Sequence, residues 1–173
     1  IGDLAPLFIA LNASMVLRKG SDTREIEIED FFIDYGIQDI KKSEFIEKIC
    51  IPLYKHLFLF PYKISKRRDE DISTISAIFA FKVLNGKLSK VRLVFGGMAA
   101  TPKRARNTEN ILEGKAFDSA IVKLAQIALE TDFTPIDDMR ASSIYRMRVG
   151  KNLLQKCQLE YSSGSAIKLS REV

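Results

Sequence analysis

Apolar and polar positions divide the chain into a strand-rich first half and a helical second half. Residues 14–18 and 24–28 read as strands. Ile26 and Ile28 alternate with Glu25, Glu27 and Glu29, which leaves one face wet. Gly20-Ser21-Asp22 supplies the turn between them. Before them, residues 4–12 form a short helix or a buried segment, with Pro6 suited to a first helical turn. Glu29-Asp30-Phe31-Phe32 opens a short element ending near Gly36, and Asp39 to Ser43 is a charged loop. Residues 44–51 read as a strand closed by Pro52. Residues 57–64 contain Pro61, which cannot donate to a ladder, so this strand is an edge or carries a bulge. Residues 72–84 form a long, mostly apolar strand. Asn85-Gly86 follows, the signature of a two-residue type I′ hairpin, because both central positions need positive φ. The return strand, 88–95, puts Val91, Leu93 and Phe95 inward and Lys90 and Arg92 outward, and Gly96-Gly97 ends it.

The period then changes. Helices are expected over 104–113, 117–130 and 140–156. The stripe Phe117, Ala120, Ile121, Leu124, Ala125 and Ala128 marks the apolar face of the second. Ala141, Ile144, Tyr145, Val149 and Leu153 mark that of the third, with Lys156 placed to favour its C-terminal dipole. Residues 159–173 read as a loose tail. Strands first and helices last is the α+β order, with a break near Pro52 to His56. The piece upstream of that break has an incomplete core.

Composition narrows the chemistry. Hydrophobic residues are 46% and charged residues 28% of the 173, an ordinary globular profile. The net charge of +5 has no interleaved aromatic platform, which argues against nucleic acid. No apolar run is long enough to span a bilayer, and the opening segment lacks the basic region of a signal peptide, so a cytoplasmic protein is expected. The first residue is Ile, which reads as a fragment, a processed chain, or a chain from which upstream disorder was removed. Cys50 and Cys157 form no metal motif and are expected to be buried thiols. The single His56 has no ligand partner at a useful spacing, so no metal site is expected. Tyr62 to Ser73 sets Lys63, Lys66, Arg67 and Arg68 directly before Asp69, Glu70 and Asp71. Such a run cannot be core, and it reads as an exposed loop between two buried strands.

Four strings carry a resemblance: I-G-D-L-A-P at 1–6, Y-K-I-S-K-R-R-D-E-D-I at 62–72, F-G-G-M-A-A-T-P-K-R-A at 95–105, and D-F-T-P-I-D-D-M-R-A-S-S-I-Y-R at 132–146. In this order and at these distances they resemble the FAD-binding region of xanthine dehydrogenases, and more broadly the flavoprotein part of molybdenum hydroxylases such as carbon monoxide dehydrogenase. The resemblance implies an α+β fold. Residues 1–53 would be the end of a two-part FAD-binding domain. Residues 54–158 would be the flavoprotein C-terminal domain, an antiparallel three-stranded sheet packed against helices.

It also implies a role. FAD would be the cofactor and NAD the electron acceptor. Molybdopterin and [2Fe-2S] clusters would sit on other parts of the complex. Expected partners are a molybdenum-cofactor-binding subunit and an upstream iron–sulfur and FAD-binding segment, in a higher oligomer. The chain would pass electrons from the clusters to NAD during oxidation of hypoxanthine or xanthine. The alternative is a non-catalytic docking module of the same complex.

By the resemblance, Asp3, Ile46 and Lys63 correspond to flavin contacts. A carboxylate can accept hydrogen bonds from ribityl or ribose hydroxyls. An aliphatic side chain can pack on a flat ring, and a lysine cation favours the charge gained on flavin reduction. Without the resemblance, Asp3 reads as a helix cap, Ile46 as core and Lys63 as solvated charge. Arg67, Arg68 and Asp69 would set the potential at the NAD entrance. Gly96-Gly97 permits close backbone approach or positive φ. Arg140 and Arg146 are read as structural or subunit-facing.

Overall fold

The computed structural model describes residues 2–67 and 70–167. Helix α1 (Leu4–Ala10) leads into a meander of short strands. Strands β1 (Ser14–Lys19) and β2 (Asp22–Glu27) form a hairpin, with Gly20 at φ +60° in its turn. A helical turn α2 (Ile28–Phe31) and a small ladder of β3 (Phe32–Asp34) and β4 (Ile37–Gln38) follow. Strand β5 (Phe45–Cys50) returns to the other edge of β1, giving a sheet of order β2-β1-β5.

The second sheet holds β6 (Phe58–Ile64), β7 (Ile75–Leu84), β8 (Lys87–Gly96) and β9 (Lys103–Arg104), in that order and all antiparallel. Strand β6 is an edge, where Pro61 loses no ladder bond. Asn85 and Gly86 take φ +51° and +74°, so the expected two-residue turn forms, pairing Leu84 with Lys87. The sheet has four strands instead of three. The extra strand β9 pairs Val94 with Arg104 and Phe95 with Lys103, at a point where the sequence offers only two residues of pattern. Strand β7 starts at Ile75, not at residue 72, because Ser73 and Thr74 have other partners, described below.

Helices α3 (Arg106–Leu112), α4 (Ser119–Asp132) and α5 (Ser143–Ser163) cover one face. Their starts follow their caps. Asp118 accepts from the N–H groups of Ala120 and Ile121 at 2.9 Å each, and Ser142 accepts from Tyr145 N–H at 3.2 Å. Helix α3 has no side-chain cap of its own. Asp132, at the far end of α4, accepts from Asn107 N–H and Thr108 N–H at 2.9 Å and from Thr108 Oγ1 at 2.7 Å.

Two expected helix faces are rotated. The buried stripe of α4 is Val122, Ala125, Leu129 and Asp132, whereas Leu124 and Ile127 are exposed. Asp132 has to point inward to cap α3, and this fixes the helix phase. In α5 the buried side is Arg146, Gly150, Leu153, Leu154 and Cys157, while Ile144 and Tyr145 are exposed. Here a charged residue occupies the inward position. Residues 159–163 are helix, not tail, because the Tyr161 ring packs on Phe58 at 5.2 Å, Phe81 at 5.6 Å and Phe117 at 5.8 Å. Lys156 therefore lies within the helix, paired with Glu160, instead of at its C-terminal end. Residues 168–173 of the expected tail lie outside the described residues. Cys157 is buried, and burial pushes its thiol pKa up. Cys50 is only half-buried.

The sheet is covered on both faces. Ile75, Ala77, Phe79 and Phe81 of β7 face the helices, while Ile78 and Ala80 face α1. This explains the incomplete core of the first piece. Ile9, Ala10, Met15, Leu17, Ile28 and Phe31 cluster with Ile78, Ala80 and Val94, which the second sheet supplies. The outward residue Arg92 is half-buried on this reverse face. It donates from Nη1 to Ile9 O at 3.0 Å and from Nη2 to Asn12 Oδ1.

Candidate functional site

The start of α1, the end of β6 and the start of β7 meet at one end of the second sheet. Asp3 stands at the N-cap position of α1, yet its side chain caps nothing there. Its carboxylate instead accepts from Lys63 Nζ at 2.6 Å and from Ser73 Oγ. Residues 60 and 70 positions apart thus converge on one carboxylate. Ser73 is buried, at 1% exposure, whereas the Asp3 and Lys63 side chains are 44% and 45% exposed. The group is anchored from below and open from above. Burial alone raises the Asp3 pKa. The hydrogen bonds from Lys63 and Ser73 and the Lys63 charge outweigh it, so the carboxyl lies below its ordinary value.

Sequence reasoning missed Ser73. A serine beside a charged loop has no signal of its own. Only the fold shows that it turns inward to Asp3.

The end of this site is held by Arg146, which is 1% exposed. Its Nη1 donates to Thr74 O at 2.6 Å and Gly97 O at 2.9 Å, and its Nη2 to Asp138 at 2.6 Å. One guanidinium from α5 thus ties the chain entering β7 to the chain leaving β8. Its Nε is buried without a partner among the described residues. Burial raises the Asp138 pKa, but the N–H groups of Arg140 and Ala141 and the Arg146 ion pair bring the net value below normal. Gly97 sits at φ +84°, and a Cβ there would overlap Thr74 O. Gly96 is a close approach as well: its Cβ would lie 3.2 Å from Pro6 of α1. A concavity of 270 Å³ opens beside this pair, lined among others by Gly96, Gly97, Ala99, Thr101, Ile136 and Arg146.

The charged loop flanks the site. Thr74 N–H donates to Ile64 O at 2.7 Å and closes its base. Asp71 accepts from Arg67 N–H at 2.9 Å, and this bond, the largest influence on it, helps lower its pKa. Lys66 Nζ reaches Met139 O at 2.7 Å. The Arg67 side chain is 76% exposed and 3.9 Å from Asp71, a loose pair. Arg68 and Asp69 lie outside the described residues. Arg140 reaches Ile72 O at 3.5 Å.

Ile46 is not core. It lies on β5 of the first sheet opposite Leu17, with 46% of its surface exposed. Phe45, Ile49 and Leu53 are exposed nearby in sequence. Nothing among the described contacts joins Ile46 to Asp3 or Lys63. Among the described residues no cluster of three His, Cys, Asp or Glu could hold a metal ion, and no helix is long and apolar enough to cross a membrane.

Residues 60–161 match the family described as the CO dehydrogenase flavoprotein C-terminal domain, and residues 1–54 match the FAD binding domain in molybdopterin dehydrogenase. Xanthine dehydrogenase of Emericella nidulans is 37% identical over 137 residues, covering 77% of this chain and 10% of that protein. The glyceraldehyde dehydrogenase medium chain of Sulfolobus acidocaldarius is 31% identical over 157 residues, covering 89% of this chain and 54% of the relative. The chain thus spans about half of one relative and a tenth of the other. Among solved structures, carbon monoxide dehydrogenase from Hydrogenophaga pseudoflava superposes with a TM-score of 0.86 at 22% identity, over 95% of this chain and 57% of that one. Quinoline 2-oxidoreductase from Pseudomonas putida 86 gives 0.81 at 20% identity, over 96% and 57%. These likenesses agree with the fold of sheets packed against helices. The chain belongs to the flavoprotein family of the molybdenum hydroxylases, with a FAD-binding-domain match over residues 1–54 followed by a CO dehydrogenase flavoprotein C-terminal domain match over residues 60–161.

Proposed function

We propose that this chain forms one wall of a FAD site in a xanthine dehydrogenase-like molybdenum hydroxylase, and that electrons released from a purine leave there for NAD. The observation that carries the reading is the convergence of Asp3, Lys63 and Ser73. The donor set fits a flavin nucleotide. Asp3 spends lone pairs on Lys63 and Ser73 and keeps acceptor capacity for a hydroxyl of the ribityl or ribose chain. Lys63, half-exposed, presents a cation beside that carboxylate. Gly96 and Gly97 let the backbone come close at the same end of the sheet.

When bound, FAD supplies two-electron chemistry. The chain's own residues bind, orient and bias the charge. Ser73 fixes the Asp3 carboxylate from the buried side, so its free lone pairs point outward. Arg146 fixes both backbone segments that frame it. Arg67, exposed on the loop, attracts the phosphates of an approaching NAD, as Arg68 would, while Asp69 would repel them, so that the three together set the potential at the entrance. Ile46 supplies an apolar contact from the first sheet, open for the remainder of the FAD-binding domain to cover. The purine is proposed from the xanthine dehydrogenase relatives, and NAD from the resemblance of the charged loop.

The test uses the assembled enzyme containing this chain. Anaerobic xanthine should bleach the flavin absorption, and NAD should restore it. Flavin that xanthine fails to bleach, or that only an aldehyde bleaches, rejects the purine assignment. Bleached flavin that NAD fails to reoxidise rejects the acceptor. The charge reversal Arg67→Glu should raise the KM for NAD at low salt and leave the KM for xanthine unchanged; an unchanged KM for NAD removes Arg67 from the account.

A further inference from the structure

A second cleft lies at the opposite end of the second sheet, near the Asn85-Gly86 turn, and the functional reading above leaves it unused. Seven residues of extended β7 separate Lys82 from Ile75, so the cleft sits about 20 Å from the Asp3–Lys63 end. It has a volume of 480 Å³ and opens between the end of α1, the linker after β5, the reverse face of β7 and β8, and α3.

Its charge is unbalanced. Lys82, Lys90, Arg92 and Arg104 line it against only Glu109 and Glu113. Glu109 is already committed to Arg104, at 2.6 Å and 3.0 Å. Glu113 is committed to the backbone, accepting from the N–H groups of Lys90 and Val91 at 3.0 Å each. No carboxylate among the described residues pairs with Lys82, Lys90 or Arg92. Half-buried cations are ordinarily neutralised, because desolvating a charge is costly without a counter-charge. Here Arg92 has only neutral acceptors, Ile9 O and Asn12 Oδ1. Burial and then the neighbouring Arg104 lower its pKa, the direction expected of an uncompensated cation.

The backbone is shaped for this excess. The pairing of β7 with β8 shifts register between Ala80 and Lys82, and the extra residue on β8 leaves Lys90 at φ +54°. A non-glycine residue in the left-handed region is uncommon, and a bulge commonly re-aims a side chain. Glu113 holds this bulge through the two amides beside it. Part of the lining beside the cations is apolar and aromatic. Leu57 and Tyr54 belong to it, and Lys82 Nζ stands 5.9 Å from the Tyr54 ring centroid.

We propose that this cleft binds a small organic phosphate, with the phosphoryl group on Lys82, Lys90 and Arg92 and the organic portion against Tyr54 and Leu57. Arg92 keeps guanidinium donors for a bidentate contact, and the two ammonium groups supply point charges.

The experiment is calorimetric titration of the intact protein containing this chain with phenyl phosphate, inorganic phosphate and a polyglutamate peptide. The comparison is the double variant Lys82→Gln, Lys90→Asn. Asn tolerates the left-handed backbone, so the bulge is kept, and an unchanged melting temperature verifies folding. Saturable one-to-one binding of phenyl phosphate is expected, tighter than that of inorganic phosphate and weakened at least tenfold in the variant. Equal affinity for the two phosphates overturns the organic half of the proposal and leaves a free-phosphate site. Binding of neither phosphate, binding unaltered by the variant, or binding of polyglutamate alone overturns the site itself, the last in favour of docking an acidic protein segment.

Discussion

Replacing Arg146 with Met keeps most of the side-chain volume and removes the charge. The structure allows the cost to be worked out. Three hydrogen bonds are lost, to Thr74 O, Gly97 O and Asp138. Hydrogen bonds to charged groups contribute roughly 1.5–3 kcal/mol each, which bounds the loss from above at several kcal/mol. Two terms reduce it. The Asp138 side chain is 32% exposed and can rehydrate when its partner goes. The Nε, buried without a partner among the described residues, is a cost that the substitution removes. The Thr74 carbonyl has no such relief beneath a fully buried side chain, and the Gly97 carbonyl, at the edge of the concavity, has it only in part. The expected destabilisation is therefore about 3 kcal/mol, the low end of what breaking a buried ion pair costs. Urea unfolding at neutral pH measures it as a lower midpoint with an unchanged slope. Arg146→Lys should recover less than half, because one ammonium cannot span both strand ends and Asp138 in the guanidinium geometry. A loss under about 1 kcal/mol for Arg146→Met would refute the idea that this guanidinium holds β7 and β8 in register at the site.

Further substitutions probe the same frame. Gly97→Ala, at φ +84° and against Thr74 O, should destabilise by at least about 2 kcal/mol, read from the same unfolding curves. Asp132→Ala removes the cap that α4 supplies to α3 and should cost about 1–2 kcal/mol; no change would mean that water caps α3 equally well. The pair of Arg24 with Glu44 gives a pH test. Hydrogen bonds from Arg24, then from Lys41 N–H, hold Glu44 near 2 against an ordinary 4.5. Because the folded value is the lower one, the pair's contribution is complete above about 4.5 and disappears as the pH falls towards 2. The urea midpoints of wild type and Glu44→Gln should differ at pH 7 and converge in acid. A gap that persists at low pH would contradict the assignment.

The sequence made some of this legible and not the rest. The Asn85-Gly86 turn, the edge position of Pro61 and the strand-then-helix order all follow from local chemistry, and each stands in the structure. The helix faces did not. Periodicity assumes that apolar residues choose the inward side, whereas α4 is phased by Asp132 and α5 by Arg146, both polar and both inward because of partners far away in sequence. The same blindness hid Ser73. Its importance lies wholly in a hydrogen bond spanning 70 positions. Asp3 and Lys63 are candidates only through family resemblance, since neither a lone Asp at a helix start nor a lone Lys beside a charged loop announces the other, and the fold brings the two together. Ile46 reads from sequence alone as core. The structure shows it exposed on β5.

Asp3, braced by Lys63 and Ser73, is proposed to hold the flavin. FAD titration into the flavin-free assembled enzyme, followed by quenching of flavin fluorescence, measures that role. Loss of one charge-assisted hydrogen bond should weaken FAD binding about tenfold in Asp3→Asn, or about 1.4 kcal/mol. Ser73→Ala should give a smaller loss in the same direction, with both variants folded by circular dichroism. FAD affinity equal to wild type in the folded Asp3→Asn enzyme would contradict the account.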